Sequence, residues 1–165
     1  MSDSIRSGFL TGVLLLVLGC APLSAIEPEA VQSTVEVAET ERPLARAIFV
    51  EIVERGESPI LVVELDDGTN IEIATSDFSV VRTNRPLFAR RQRRVGRAVD
   101  SIAGRRIGLA AAYERALAIE DGGETSASRF VSAAYLYNRE RLLIRVDFAD
   151  LAVFLNPRTG EIVDP

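Results

Sequence analysis

The sequence predicts an α+β fold built on antiparallel sheets, and three observations support that prediction. Segments rich in β-branched residues, separated by turn residues, occur at both ends of the folded part. Between them the apolar spacing changes from two residues to three, four and seven, which is typical of amphipathic helices. The 165 residues are 47% hydrophobic, which is enough for the core of one ordinary domain.

The first part of the fold, residues 45–83, is predicted to be an antiparallel β-meander. A turn signal, Asp-Asp-Gly-Thr-Asn, occupies residues 66–70, so the segments on either side should pair as a hairpin. Alternation then places one set of apolar side chains on a buried face and leaves the other face in water. The expected strands are residues 47–54, 60–65, 71–74 and 78–81.

Two helices are predicted in the middle of the chain. The first is an arginine-rich amphipathic helix over residues 84–105, with Asn84 as its N-cap. Its apolar stripe consists of Phe88, Val95, Val99 and Ile102. Gly104 ends this helix, and a second helix is expected over residues 109–120.

Three more strands are expected after the second helix, over residues 129–137, 141–147 and 151–155, followed by a short final segment at 161–163. Tyr135 and Tyr137 share one strand face, whereas Phe130 and Leu136 point to the other. One face must pack on the helix, which leaves apolar surface on the other. We expect the N-terminal meander to cover that surface. The alternative is that it serves a partner, for example by strand addition at an exposed edge.

The N-terminal residues 1–19 resemble a bacterial export signal. Residues 9–18 form an apolar run that is too short to span a membrane. The run ends in Leu-Val-Leu-Gly-Cys, similar to the lipoprotein signal in which a small residue precedes the lipidated cysteine. We therefore predict a lipid on Cys20, and a plain secretory signal cut after Ala25 is the alternative. Both signals export the chain. Because Ala21 is not Asp, a periplasm-facing position on the outer membrane is favoured over the inner membrane.

Residues 20–44 are predicted to connect the lipid to the fold as an acidic linker. The stretch 26–41 contains five glutamates and no basic residue, which is typical of a solvated tether. A short helix over residues 28–40 is the alternative, although the valines there follow a helical period poorly.

The composition limits the chemistry that the chain can perform. All 19 basic residues are arginines, there is no histidine, and Cys20 is the single cysteine. Histidine-activated nucleophiles, histidine-containing zinc sites and intrachain disulfides are therefore excluded.

Glu64 and Glu72 can oppose each other across the predicted hairpin, but exposed hairpin carboxylates usually keep sheet edges soluble. The Asp-Asp-Gly-Thr-Asn turn lacks the ligand spacing of a calcium loop. We expect no enzyme activity, no cofactor and no metal site.

A run of arginines is the strongest candidate binding surface. Residues 82–106 contain nine arginines and one acid, in a chain whose net charge is −5. At helical spacing, Arg90, Arg93, Arg94 and Arg97 fall on one side. This side is predicted to bind anionic headgroups, lipopolysaccharide phosphates or an acidic partner, whereas export argues against nucleic acid. The alternative is a solvated helix face neutralised by glutamates of the same chain.

The last part of the chain, residues 106–165, resembles a PepSY domain, a small extracytoplasmic module of one helix and an antiparallel sheet of three to four strands. The resemblance rests on Ile-Gly-Leu-Ala-Ala-Ala at 107–112, the glycine pair at 122–123, the strand at 130–137, Leu-Ile-Arg-Val at 143–146 and Leu-Asn-Pro-Arg-Thr-Gly-Glu-Ile at 155–162. Gly108 and Asn156 stand where the family usually has a capping Ser or Thr and an Asp. Glycine and asparagine support the same cap and turn.

The resemblance implies a function without catalysis. PepSY proteins are linked to restraining or modulating peptidases and to other regulation in the cell envelope. It therefore implies an accessory that binds an envelope protein or peptidase through a sheet face or edge. The alternative function is a membrane-surface or polyanion-binding structural lipoprotein that uses the arginine helix. The segment order at 60–81 recurs at 142–163, 82 residues later, either as a degraded duplication or by coincidence.

Overall fold

The structure is a computed structural model that describes residues 26–55, 58–85, 89–102, 104–120, 129–138 and 141–165. The predicted signal, Cys20, Phe88 and the glycine pair at 122–123 lie outside these residues. In chain order the elements are α1 (Pro28–Glu41), β1 (Ala47–Arg55), β2 (Ser58–Leu65), β3 (Asn70–Ala74), β4 (Val80–Asn84), α2 (Arg90–Asp100), α3 (Leu109–Glu120), β5 (Phe130–Asn138), β6 (Arg141–Phe148) and β7 (Ala152–Leu155).

The seven strands of the described chain form one antiparallel sheet in the order β4-β3-β2-β1-β5-β6-β7. The α+β prediction is confirmed, and the two regions of strand belong to a single sheet. They join where β1 pairs with β5, with Phe49 opposite Ala134 and Val50 opposite Ala133. The expectation that the N-terminal meander covers a face of the C-terminal strands is therefore wrong, because the meander extends the sheet sideways.

One face of the sheet packs against α1 and α3, and the hydrophobic core lies there. Val50, Val63 and Ala133 are fully buried on this face. Because side chains alternate along a strand, their neighbours Phe49 and Ala134 point to the other side. We call this other side, which α1 and α3 leave uncovered, the open face. It carries Phe49, Glu51, Glu64, Ala134, Leu136, Arg145 and Asp147.

Residues 28–41 form a core helix, so the prediction of a solvated linker over residues 20–44 is wrong for this part. Val31, Thr34 and Ala38 recur at spacings of three and four and are fully buried. The Thr34 hydroxyl donates a hydrogen bond to the Ala30 carbonyl, which satisfies it within the core. Two of the three buried positions are a threonine and an alanine, and these small residues concealed the helical period in the sequence.

The helix α2 begins at Arg90, six residues later than predicted. The predicted cap, Asn84, is instead the last residue of β4 and lies opposite Asn70. Phe78, the expected start of the fourth strand, occupies a turn with φ of 56°. The apolar stripe is confirmed at Val95 and Val99, which are buried.

A register shift in β5 corrects the predicted direction of one aromatic side chain. The pairing with β6 shifts between Phe130 and Ser132, which is a β-bulge. Phe130 therefore turns to the helix-covered face, where its ring centroid lies 4.4 Å from that of Tyr113. At the other end of the sheet, the residues after β7 contribute one isolated bridge, between Leu155 and Ile162.

The two halves of the fold repeat the same order of elements. In each half one helix precedes three strands that correspond, α1 with β1 to β3 and α3 with β5 to β7, and corresponding elements begin 81 to 83 residues apart. The first half adds β4 as a fourth strand. The equivalent strands β1 and β5 pair antiparallel, so an approximate two-fold rotation relates the halves. This arrangement supports duplication over coincidence. The helix α2 lies between the halves and has no counterpart in the described chain.

Candidate functional site

The helix α2 docks against one end of the sheet through a close backbone approach. A Cβ atom at Gly96 would lie 2.5 Å from the Cβ of Asp66, so glycine is required for the helix to come this near the turn between β2 and β3. Gln92 donates a hydrogen bond of 2.6 Å to a carboxylate oxygen of Glu64 on the open face. These contacts place the arginines of α2 along three concave surfaces.

The first surface is a groove of about 950 Å³ between α2 and the open face, which we call the open-face groove. Its floor is apolar at Phe49, Ala134 and Leu136. Side chains of both signs surround this floor, with arginines on the helix and carboxylates on the sheet. The charged lining residues are Arg90, Arg91, Arg94, Arg145, Glu64 and Asp147.

The carboxylates of the open face interact with polar neighbours and with each other. Burial raises the pKa of Glu51 above its ordinary value, and the negative charge of Glu64 raises it further. Asp147 accepts hydrogen bonds from Ser132 at 3.0 Å and from Arg145 at 2.7 Å.

The predicted opposition of Glu64 and Glu72 is wrong. The register places Glu64 opposite Asn70 and Glu72 opposite Val62. Glu72 instead forms an ion pair of 2.8 Å with Arg55. The sheet register therefore provides no directly opposed carboxylate pair in this hairpin.

The second surface, which we call the mixed pocket, has a volume of about 840 Å³ and lies on the other side of α2. Burial raises the pKa of Asp66, and the negative charges of Asp100 and Asp67 raise it further. Burial also acts on Asp67, but hydrogen bonds from Thr69 and Arg42 outweigh it and lower the pKa of this carboxyl. The charged lining residues are Arg85, Arg90, Arg93, Arg97, Asp66, Asp67 and Asp100. Arginines here face acids of the same chain. This agrees with the alternative in which acids of the chain itself neutralise a solvated helix face.

The third surface has a volume of about 660 Å³ and lies between α2, the start of β6 and the turn after β7. Its charged lining residues are Arg94, Arg97, Arg141 and Arg158, and no acid of the described chain lines it. The guanidinium carbon of Arg94 lies 5.2 Å from the centre of the Tyr137 ring, a cation–π contact. We call this surface the arginine cleft.

The structure distributes the four predicted arginines over all three surfaces. Each is exposed, as the helical spacing predicts. Arg93 borders the mixed pocket, whereas Arg94 lies between the open-face groove and the arginine cleft. Whether these residues bind an anion or a partner stays a prediction.

Sequence reasoning missed the arginines of the cleft that do not belong to α2. Arg141 begins β6, and Arg158 lies in the turn that follows β7. Both are distant from α2 along the chain, so only the sheet topology brings them beside it.

Two further findings concern the described residues as a whole. They contain no group of three or more histidine, cysteine, aspartate or glutamate side chains that could hold a metal ion. No helix in this part of the chain has the length and apolar character needed to cross a membrane.

Comparison with known proteins shows the fold and no family. No family model matches the chain, and no curated protein does. The fold is similar to the crystal structure of a candidate lipoprotein, CD1622, from Clostridium difficile 630, with a TM-score of 0.50 and 9% sequence identity. The similarity covers 81% of this chain and 90% of that protein. The PepSY resemblance stays a prediction.

Proposed function

We propose that this protein is a non-enzymatic lipoprotein of the cell envelope that binds a segment of another envelope protein, such as a peptidase that it modulates. The single observation that carries the proposal is the open face. Two helices cover the opposite side of the sheet, whereas this side presents half-buried apolar residues beside a charged helix. Apolar surface bordered by polar residues is characteristic of protein-binding sites.

The groove lining defines the kind of segment that fits it. Phe49 and Leu136 are half-buried and offer contact area to apolar side chains of a partner. The arginines of α2 complement acidic residues, and their planar guanidinium groups can bind carboxylates through two hydrogen bonds. We therefore expect an extended segment in which apolar residues alternate with acidic ones.

The composition and the groove both support binding without catalysis. The chain has no histidine to activate a nucleophile, and Glu64 and Asp147 accept hydrogen bonds from neighbouring side chains. Screening the protein against hydrolase substrates should show no turnover. Turnover that Glu64→Gln abolishes would contradict the proposal.

The export signal, with its Leu-Val-Leu-Gly-Cys sequence, supports the lipid anchor, and CD1622 is a candidate lipoprotein with the same fold. Because α1 starts at Pro28, only a short segment separates Cys20 from the fold. The six residue steps from Cys20 to Ile26 span at most about 20 Å when extended. An anchored protein would therefore hold its domain close to the membrane surface, with the outer membrane favoured.

Site-specific crosslinking tests the proposed groove. A photoreactive residue is introduced at Leu136 in the full chain, which is then irradiated in intact cells. We expect one or a few defined adducts with envelope proteins, because this side chain lies on the groove floor. The matched control is Val131, which lies on the same strand and is 39% exposed outside the groove.

Substitutions at the two crosslinking positions distinguish binding in the groove from chance proximity. Leu136→Arg should abolish capture of the partner by the purified protein, whereas Val131→Arg should retain it. Equal adducts from both positions, or no effect of Leu136→Arg, would overturn the proposal. Capture that is lost between about 50 and 150 mM salt would favour the alternative, a surface that binds membranes or polyanions.

A further inference from the structure

Beyond the binding of a protein segment in the open-face groove, we infer that the arginine cleft binds a phosphate group. The group is either free or part of a lipid headgroup, since both present the same oxygens to the cleft. The inference rests on four arginines that three separate parts of the chain bring to one concavity.

The geometry of the cleft depends on the docking of α2. Arg94 and Arg97 lie one turn apart along the helix, Arg141 begins β6, and Arg158 lies in the turn after β7. Apolar residues line the cleft beside the arginines, namely Ile102, Leu142, Leu143, Pro157 and Val163.

The positive charge of the cleft is not neutralised by the acids that the structure describes. Ion pairs in the described chain involve Arg42, Arg55, Arg129 and Arg145, and none involves an arginine of the cleft. The stacking of Arg94 on Tyr137 orients one guanidinium group but adds no negative charge. An anion that enters the cleft therefore relieves repulsion among the four side chains.

The number and type of cationic groups favour phosphate over a single carboxylate. A carboxylate supplies one negative charge and two oxygens, which two guanidinium groups already saturate. A phosphate ester or diphosphate supplies more charge and additional acceptor oxygens, and arginine binds them through pairs of parallel hydrogen bonds. The mixed pocket, in which acids of the same chain face the arginines, lacks this excess of positive charge.

Titration of the purified full chain in detergent with inorganic pyrophosphate tests the inference. At about 20 mM salt we expect saturable binding of one pyrophosphate and a rise in melting temperature. Affinity should fall at least about tenfold at 150 mM salt, because several charges are neutralised together. Absence of saturable binding at low salt would overturn the inference.

A pair of double variants separates the cleft from general attraction between opposite charges. Arg141→Gln with Arg158→Gln removes two charges from the cleft, and Arg91→Gln with Arg93→Gln removes two from α2 outside it. We expect the first pair to weaken pyrophosphate binding at least tenfold and the second less than threefold. Equal losses of pyrophosphate affinity in both variants would show that net charge alone attracts the ligand, and they would overturn the inference of a phosphate site in the cleft.

The first double variant, Arg141→Gln with Arg158→Gln, should keep the protein segment bound in the open-face groove. Neither Arg141 nor Arg158 lines that groove. If this variant loses pyrophosphate binding but still captures the partner, the arginine cleft and the open-face groove are separate binding sites.

A competition experiment identifies the source of the phosphate. Phosphatidylglycerol or phosphatidylcholine is added to the detergent micelles at equal amounts during the pyrophosphate titration. Displacement by phosphatidylglycerol alone supports a lipid headgroup in the cleft, and no displacement by either lipid supports a free phosphate or phosphate ester. Equal displacement by both lipids would also support a lipid headgroup, because each lipid carries a phosphodiester, and would contradict selection by the excess positive charge.

Discussion

At the scale of single residues, the open face holds a carboxyl group that ionises less readily in the folded chain than in the unfolded chain. Glu51 and Glu64 lie on neighbouring strands, and Glu51 is partly buried. Because burial and the neighbouring charge both raise the pKa of Glu51, the neutral form is more favoured in the folded chain than in the unfolded chain. Stability contributed by this group is present at low pH and is lost as the pH rises through the raised pKa.

We therefore expect Glu51→Gln to stabilise the protein at neutral pH. The gain should stay below about 1 kcal/mol, since solvent screens a half-exposed carboxylate. Chemical denaturation at pH 7 and at about pH 3.5 measures it, and the gain should shrink at the lower pH. Glu114→Gln, at an exposed position of α3, is the control and should be neutral. An equal effect of Glu51→Gln at both pH values would contradict the linkage.

Some single-residue features were inaccessible to pattern reasoning. Alternation correctly separates Tyr135 from Leu136, but it fails for Phe130 because a bulge adds a residue to the strand. Bulges depend on strand pairing rather than on a local motif. The arginine cleft was missed for the same reason, since Arg141 and Arg158 approach α2 only after the sheet has formed.

At the scale of elements, α1 shows why the sequence of a core helix predicts a linker. Its acids dominate the composition, while its buried stripe contains small and polar residues. Six of the seven strands, by contrast, agree with the prediction to within two residues, because their alternation of β-branched and polar residues is strong. The predicted strand 78–81 ends three residues before β4 does. The predicted start of α2 is six residues too early, because an asparagine such as Asn84 fits either the cap of a helix or the end of a strand.

The contribution of α1 to the core can be measured directly. Val31→Ala should destabilise the protein by about 1–3 kcal/mol, because Val31 is fully buried. Thr40→Ala, at an exposed position of the same helix, should change stability by less than about 0.5 kcal/mol. Denaturant unfolding provides both values. Equal, negligible effects would mean that the segment behaves as a tether after all.

The docking of α2 provides a second measurement at this scale. Gly96→Ala improves helix propensity by up to about 1 kcal/mol, but its Cβ collides with Asp66. We expect a net loss of about 1–3 kcal/mol as α2 shifts outwards. Pyrophosphate binding should weaken too, because the shift separates Arg94 and Arg97 from the arginines of β6 and the turn after β7. Val99→Ala truncates a buried side chain of the same helix that does not line the cleft, and it should lower stability without changing the ligand affinity.

At the scale of the whole molecule, fold class was more predictable than the joining of the two halves. Each half has the local patterns of a helix and a sheet, and the 82-residue repeat was visible in the chain. What no local pattern contains is the pairing of β1 with β5, which merges the halves and leaves one face open. That face carries the proposed groove, so the site is a product of the assembly of the halves.

The lipid anchor is tested on the intact protein. Mass spectrometry of the mature chain should show a diacylglyceryl adduct on Cys20. Cys20→Ala should release the protein from the membrane or leave its precursor unprocessed, because no other residue can accept the lipid. A mature N-terminus at Ile26 would instead show the plain secretory signal.

The two outer borders of the sheet differ, and this difference limits how copies of the chain can add to each other. Beside β7, the backbone at Leu155 is bridged to Ile162, and Val163 donates to the Phe154 carbonyl. Beside β4, all five residues are exposed and one, Val81, is bulged. Because the β7 border is closed, one copy of the chain can pair with a second copy only through β4, and the assembly stops at two copies. A chain shortened at residue 160 would have two free borders, and its copies could grow into a continuous fibre.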